Sequence, residues 1–154
     1  KHFAALKMHK KMFAIGDTLG TGTFGRVRLV TYTHKRTYFF ALKMLKKSEI
    51  IRLKQVEHIK AEKSILQRIA HPFIVNLYAS FQDERALYML MEYVIGGELF
   101  SQLRKVGRFS NDTARFYAAE IVLALQYLHS KVRLFVLARE LADDFGFRTL
   151  CTAT

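Results

Sequence analysis

The stretch "FAIGDTLGTGTFGRVRLVTY", residues 13–32, restricts what this chain can fold into more than any other. Three glycines, Gly20, Gly22 and Gly25, lie between two short strand-like runs. The run after the last glycine, "RVRLVTY", alternates and is rich in β-branched residues, so a strand is predicted to leave the loop. A dinucleotide-binding fold needs a helix there and an acidic residue about 20 positions on. The G-x-G-x-x-G spacing alone is weak, because many turns need glycine. Its chemical meaning lies in close approach: without Cβ atoms, backbone N–H groups can reach phosphate oxygens. A glycine-rich hairpin with no ligand is the competing reading.

Two charges further along fall where apolar residues are expected. In "YFFALKML", alternation puts Phe39, Ala41, Lys43 and Leu45 on one face and Tyr38, Phe40, Leu42 and Met44 on the other. Both faces are apolar, and a buried lysine is costly unless its charge is paired. The next segment, "KQVEHIKAEKSILQRIA", has helical spacing, with a stripe of Val56, Ile59, Leu66 and Ile69 that contains Glu62. Singly, Lys43 could snorkel to water and Glu62 could reach solvent from the stripe edge. Together, next to a phosphate-type loop, they are expected to pair.

"HPFIVNLYASFQDERALYMLMEYVIGGELF" predicts two strands around the polar turn "QDER", ending at a hinge, Gly96-Gly97. "ELFSQLRKVG" and "SNDTARFYAAEIVLALQYLHS" predict helices, the second with Ser110 or Asn111 as N-cap and Asp112 in its first turn. Its stripe of Tyr117, Ile121, Ala124 or Leu125, and Leu128 is joined by Phe116 and Leu123, so burial on more than one face is expected.

With 51% apolar and 25% charged residues in 154, one domain with a real core is expected. A single cysteine, Cys151, excludes an internal disulfide framework and fits a reducing compartment. The six histidines lack ligand-like spacing, so a structural metal site is not expected. No apolar run approaches the ~18–20 residues that span a bilayer, and the start does not read as a secretory signal. A soluble protein with no membrane partner, cytoplasmic or nuclear, is the expectation. A net charge of +12 invites a nucleic-acid reading, but the basic residues are spread along the chain. No specific nucleic acid is expected, and a basic surface also suits a polyphosphate ligand.

The segments "LGTGTFGRVRLV", "FALKMLKK", "RLKQVEHIKAEKSILQRIAHPFIVNLYASFQDERALYMLMEYVIGGELFSQLRKVGRFS" and "ARFYAAEIVLALQYLHSK" together resemble the eukaryotic protein kinases, over about residues 13–131. Within them the likeness is to the cAMP-dependent type, whose catalytic subunits belong to the AGC group. "LKKSEIIRLKQVEH" is typical of that group. The resemblance implies an α+β fold: a basic segment over 1–12, a small lobe over 13–95 with a five-stranded antiparallel sheet and a crossing helix, and the first helices of an incomplete large lobe over 96–154. It implies ATP between the lobes, with Gly20, Gly22 and Gly25 over its phosphates and Lys43, paired to Glu62, on the α- and β-phosphates. Leu19, Val27 and Ala41 would line the adenine pocket with Met91 as gatekeeper, and the backbone of Glu92–Val94 would hydrogen-bond the base. Glu98 would meet the ribose and a basic substrate residue, and Asp144 of Asp144-Phe145-Gly146 would ligate Mg²⁺. The implied partners are protein substrates with basic residues near Ser or Thr, and a cAMP-binding regulatory subunit.

The likeness breaks after "YLHSK". The family continues with a catalytic loop of the form [HY]-R-D-L-K-P-E-N, whose Asp accepts the substrate proton and whose Asn helps hold a second magnesium. Here "VRLFVLARELADDFGF" follows, and its closest echo is Arg139-Glu140-Leu141, with no Lys or Asn after it. Three residues separate Glu140 from Asp144. Extended, they span at most ~10–11 Å, too little for the rest of that loop and its hairpin. A truncated kinase with little or no activity is therefore expected, and a non-catalytic module binding a regulatory partner is the alternative. The helix over 110–131, deprived of covering surface, is expected to be loosely held, to oligomerise or to need a partner. In the tail, "RTLCTAT" aligns Thr149 with the family's phosphorylated threonine.

Overall fold

The computed structural model describes the backbone of residues 8–144 and the side chains of 8–35 and 37–131. The chain divides into two compact units, Lys1–Ser101 and Gln102–Thr154.

In the first unit a 3-10 turn, Lys10–Met12, leads into strands β1 (Phe13–Gly22), β2 (Gly25–Tyr32) and β3 (Lys35–Lys46). Helices α1 (Lys47–Arg52) and α2 (Val56–Arg68) follow, then β4 (Leu77–Gln82) and β5 (Ala86–Glu92). The sheet order is β1-β2-β3-β5-β4, and every pairing is antiparallel. This is the α+β architecture, five antiparallel strands with a helix on one face, that the sequence leads one to expect.

Period-two alternation in β3 divides the core in two. Phe40 and Leu42 face one way and join Met8, Phe13, Val30, Tyr88 and Leu90. The rings of Phe13, Phe81 and Tyr88 stack in sequence there, with centroids 6.1 and 4.9 Å apart. Leu45 faces the other way and packs with Met89, Ile50 of α1 and Ile59 of α2. The apolar stripe of α2 is narrower than expected: Ile59 alone is buried, Val56 is exposed, and Leu66 and Ile69 are half-buried.

The β4–β5 turn is closed by Asp83. Its carboxylate accepts the N–H groups of Arg85 and Ala86 at 2.9 and 2.8 Å and the Tyr88 hydroxyl at 2.7 Å. The Tyr88 bond, then the two backbone donors, hold the Asp83 carboxyl below its ordinary range. Burial first, then the Asp83 bond, push the Tyr88 hydroxyl up to about 12. Folding thus favours neutral Tyr88, a contribution complete below about pH 10 and lost as the pH rises towards 12. Asp83 contributes above the usual carboxylate range and loses its share as pH falls through its lowered value. In an ultraviolet titration of the seven tyrosines, a late step near pH 12 is expected and should vanish in Tyr88→Phe. Tyrosines that all ionise near about 10 would contradict this.

Helix α3 (Leu99–Val106) ends at Gly107, whose φ of 76° lets its N–H close on the Leu103 carbonyl at 2.8 Å. Helix α4 (Asn111–Asp144) is capped by Ser110, whose Oγ accepts the Thr113 N–H at 3.2 Å. It runs unbroken for 34 residues, well past the predicted end of the helix at 131. Phe116, Ile121, Val122, Leu123 and Leu125 of α4 are exposed. No helix among the described residues is long and apolar enough to cross a membrane.

Candidate functional site

Strand register assembles most of the site. Gly20 pairs with Val27, Val27 with Lys43, and Lys43 with Met89, which gives one row across four strands. Ala41 pairs with Met91 one step along the same face. Val27, Ala41, Lys43 and Met91 are all half-buried and lie on the side of the sheet that carries α2.

The Lys43 ammonium donates to Glu62 Oε1 of α2 at 2.6 Å. The two side chains remain 26% and 36% exposed, so the pair is partly open to water. Partial burial strengthens this charge-assisted bond beyond a surface ion pair. It also leaves the ammonium able to meet a second, anionic partner.

The three glycines do different work. A Cβ on Gly20 or Gly22 would meet nothing within 4 Å, so the backbone of the β1 end lies open. A Cβ on Gly25 would overlap the Met44 carbonyl, so this glycine lets β2 approach β3. Upstream, a register shift between Thr18 and Gly20 leaves Leu19 without a partner on β2, and its side chain is exposed. Arg28 steadies this irregular edge by donating from Nε and Nη2 to the Gly16 carbonyl at 3.0 and 2.6 Å.

At the other end of the sheet, Glu92 spends its side chain on Asn76 rather than on open space. Its Oε2 accepts the Asn76 backbone N–H at 3.1 Å and Nδ2 at 2.8 Å, while the Glu92 N–H donates to the Asn76 carbonyl at 2.9 Å. Beyond it Val94 is exposed, and Gly96 and Gly97 adopt φ values of 117° and 75°. Glu98 is also exposed, and its carbonyl accepts the Ser101 N–H at 3.0 Å as α3 begins.

Sequence reasoning missed both Asn76 and Asp83. For Asp83 a signal was present, since an aspartate opening a polar turn commonly caps it. Asn76 carries none, because its partner is 16 positions away. Asp144 is the last residue of α4; its side chain, with Phe145, Gly146 and Thr149, lies outside the described residues. Among the described residues no three His, Cys, Asp or Glu side chains converge as a metal site. A separate groove of about 420 Å³ lies between the helices and β4–β5, walled by Ile50, Ile51, Val56, Ile59 and Phe81 among others. Neither Lys43 nor the glycines line it.

Open glycine backbone, a half-buried cation in the same row and apolar side chains beside it leave room for a phosphate-bearing ligand with an apolar part. Among the described residues no ligand set for Mg²⁺ is assembled.

The protein kinase domain family matches residues 13–139. The chain belongs to the protein kinase family. This kinase chain is 60% identical over 113 residues to the cAMP-dependent protein kinase catalytic subunit of Dictyostelium discoideum, covering 73% of the chain and 17% of that relative. It is 57% identical over 114 residues to the cAMP-dependent protein kinase catalytic subunit PRKX of Homo sapiens, covering 74% and 32%. It is 55% identical over 119 residues to cAMP-dependent protein kinase type 3 of Saccharomyces cerevisiae, covering 77% and 30%. The kinase chain thus spans less than a third of the length of these relatives. Its sheet and α2 are the kinase small lobe, and α3 and α4 begin the helical large lobe.

Proposed function

We propose that this kinase chain binds ATP on the α2 side of its sheet. The Lys43–Glu62 bond of 2.6 Å, in the row that begins at Gly20, is the observation that carries the reading. Lys43 contacts the α- and β-phosphates while Glu62 holds its ammonium in place. The N–H groups around Gly20 and Gly22 cover the phosphates, and Gly25 keeps the hairpin seated on β3. Val27, Ala41 and Met91, with Leu19 at the rim, pack against adenine, whose edge meets the backbone of Glu92–Val94. Glu98, exposed beyond the hinge, serves the ribose and a basic substrate residue.

The whole protein, in this reading, is a serine/threonine kinase of the cAMP-dependent type. It moves the γ-phosphoryl of ATP to a Ser or Thr hydroxyl of proteins with basic residues nearby. Its likeness to cAMP-dependent protein kinase catalytic subunits supports this, and a cAMP-binding regulatory subunit is the proposed partner, in cytoplasm or nucleus. Mg²⁺, with Asp144 as a proposed ligand, would neutralise charge on the phosphates.

Transfer itself is expected to be weak or absent in this 154-residue chain. The sequence from 132 to 144 holds no R-D-L-K-P-E-N, and Glu140, the nearest counterpart of the catalytic Asp, lies within helix α4. With radiolabelled ATP and a basic Ser-containing peptide, incorporation is expected near background. Steady transfer that disappears in Lys43→Ala would overturn this part of the proposal.

The alternative, a non-catalytic module that engages a partner, is favoured by the exposed apolar residues of α4. It requires saturable partner binding that persists in Lys43→Ala.

A further inference from the structure

Glu92 is the point where the chain leaves the sheet. On one flank it pairs with Phe40 of β3, the last pair of that ladder. On the other flank the regular pairing of β4 begins only at Leu77, opposite Met91. Asn76, just outside β4, extends the contact by one residue through three hydrogen bonds of 2.8–3.1 Å. Two of the three end on the same carboxylate oxygen of Glu92, a half-buried charge that needs those donors. Past this clamp the backbone N–H groups of Tyr93, Val94 and Ile95 find no acceptor among the described residues. Val94 and Ile95 are 60% and 84% exposed. A run of backbone donors without acceptors among the described residues, exposed from Val94 on, is therefore anchored at one end by a side-chain clamp that follows Met91.

We propose that Asn76 is a positioning residue for the base end of the nucleotide: by holding the Glu92 carboxylate it fixes where the donors of Tyr93–Ile95 stand. The inference rests on the ATP reading above and adds to it a residue that would touch no ligand. Removing the amide leaves Glu92 Oε2 with a backbone donor alone, and the carboxylate turns towards water. The strip then moves with it, and a flat base edge loses aligned partners while the phosphate end at Lys43 is untouched.

The test is calorimetric titration of the 154-residue chain with three probes: ATP, adenosine and inorganic tripolyphosphate. Asn76→Ala is expected to weaken ATP and adenosine by the same factor, about 3- to 10-fold, the net size of one ordinary hydrogen bond. Tripolyphosphate affinity is expected to stay unchanged. The inference is overturned if Asn76→Ala binds adenosine as wild type does, or if it weakens tripolyphosphate equally, which marks general loosening. Wild type that binds none of the probes overturns the ATP reading itself, and the clamp inference falls with it. Should Asn76→Ala fail to fold, hydrogen exchange on wild type decides: adenosine is expected to slow the amides of Tyr93–Ile95, and unchanged exchange there overturns the inference.

Discussion

The Leu42→Ala chain is expected to lose about 2–5 kcal/mol of stability, the range for emptying a fully buried leucine site. Leu42 has no exposed surface and sits at the centre of β3, flanked by β2 and β5. It packs with Val30, Phe40, Tyr88 and Leu90, and both neighbouring strands would have to shift to close the cavity. A loss of this size is a large share of a typical domain's ~5–15 kcal/mol. Because Lys43 is the next residue in β3, the face that carries the Lys43–Glu62 bond depends on the packing of the opposite one. Urea unfolding monitored by circular dichroism measures the loss. A midpoint within error of wild type would show that Leu42 does not centre the core.

Gly25→Ala is expected to cost about 1–3 kcal/mol, the usual price of forcing extra atoms into a packed site. The new methyl meets the Met44 carbonyl carbon at 2.9 Å and Leu45 Cα at 3.2 Å, and it overlaps the Met44 oxygen itself. All are backbone atoms of β3, so no side chain can swing away. Relief requires β2 and β3 to part next to Lys43. Gly20→Ala and Gly22→Ala meet no such obstacle and should keep wild-type stability while losing nucleotide affinity, since their methyls occupy the space that phosphates would use. Thermal melts of the three variants beside ATP titrations separate the two roles. Equal stability in all three would refute the division.

The legible parts of this fold were those where a local pattern carries the information. Alternation in β3 assigned both faces of the strand, and the charge anomalies of Lys43 and Glu62 anticipated their bond because two unpaired charges in apolar seams have few other solutions. The strand after Gly25 likewise followed from β-branched residues. What stayed hidden depends on pairing across the sheet. The separate role of Gly25 is visible only once β2 lies against Met44, and the Asn76–Glu92 clamp only once β4 meets β5. The length of α4 was missed for another reason. "VRLFVLARELADD" contains no glycine or proline to stop a helix, so α4 continues where the likeness to the family, and with it the family's catalytic loop, breaks off.

The central claim is that Lys43 and Glu62 form one phosphate-binding unit beneath the glycine hairpin. Its most direct test is calorimetric titration of ATP into wild type, Lys43→Ala, Glu62→Ala and the double variant. ATP is expected to bind wild type saturably, with each single substitution weakening it about tenfold or more, the scale of a partly buried charge contact. The double variant should be little worse than the poorer single one, because the two residues act together. A folded wild type that takes up no ATP, or a Lys43→Ala chain that binds it as well as wild type, would contradict the account.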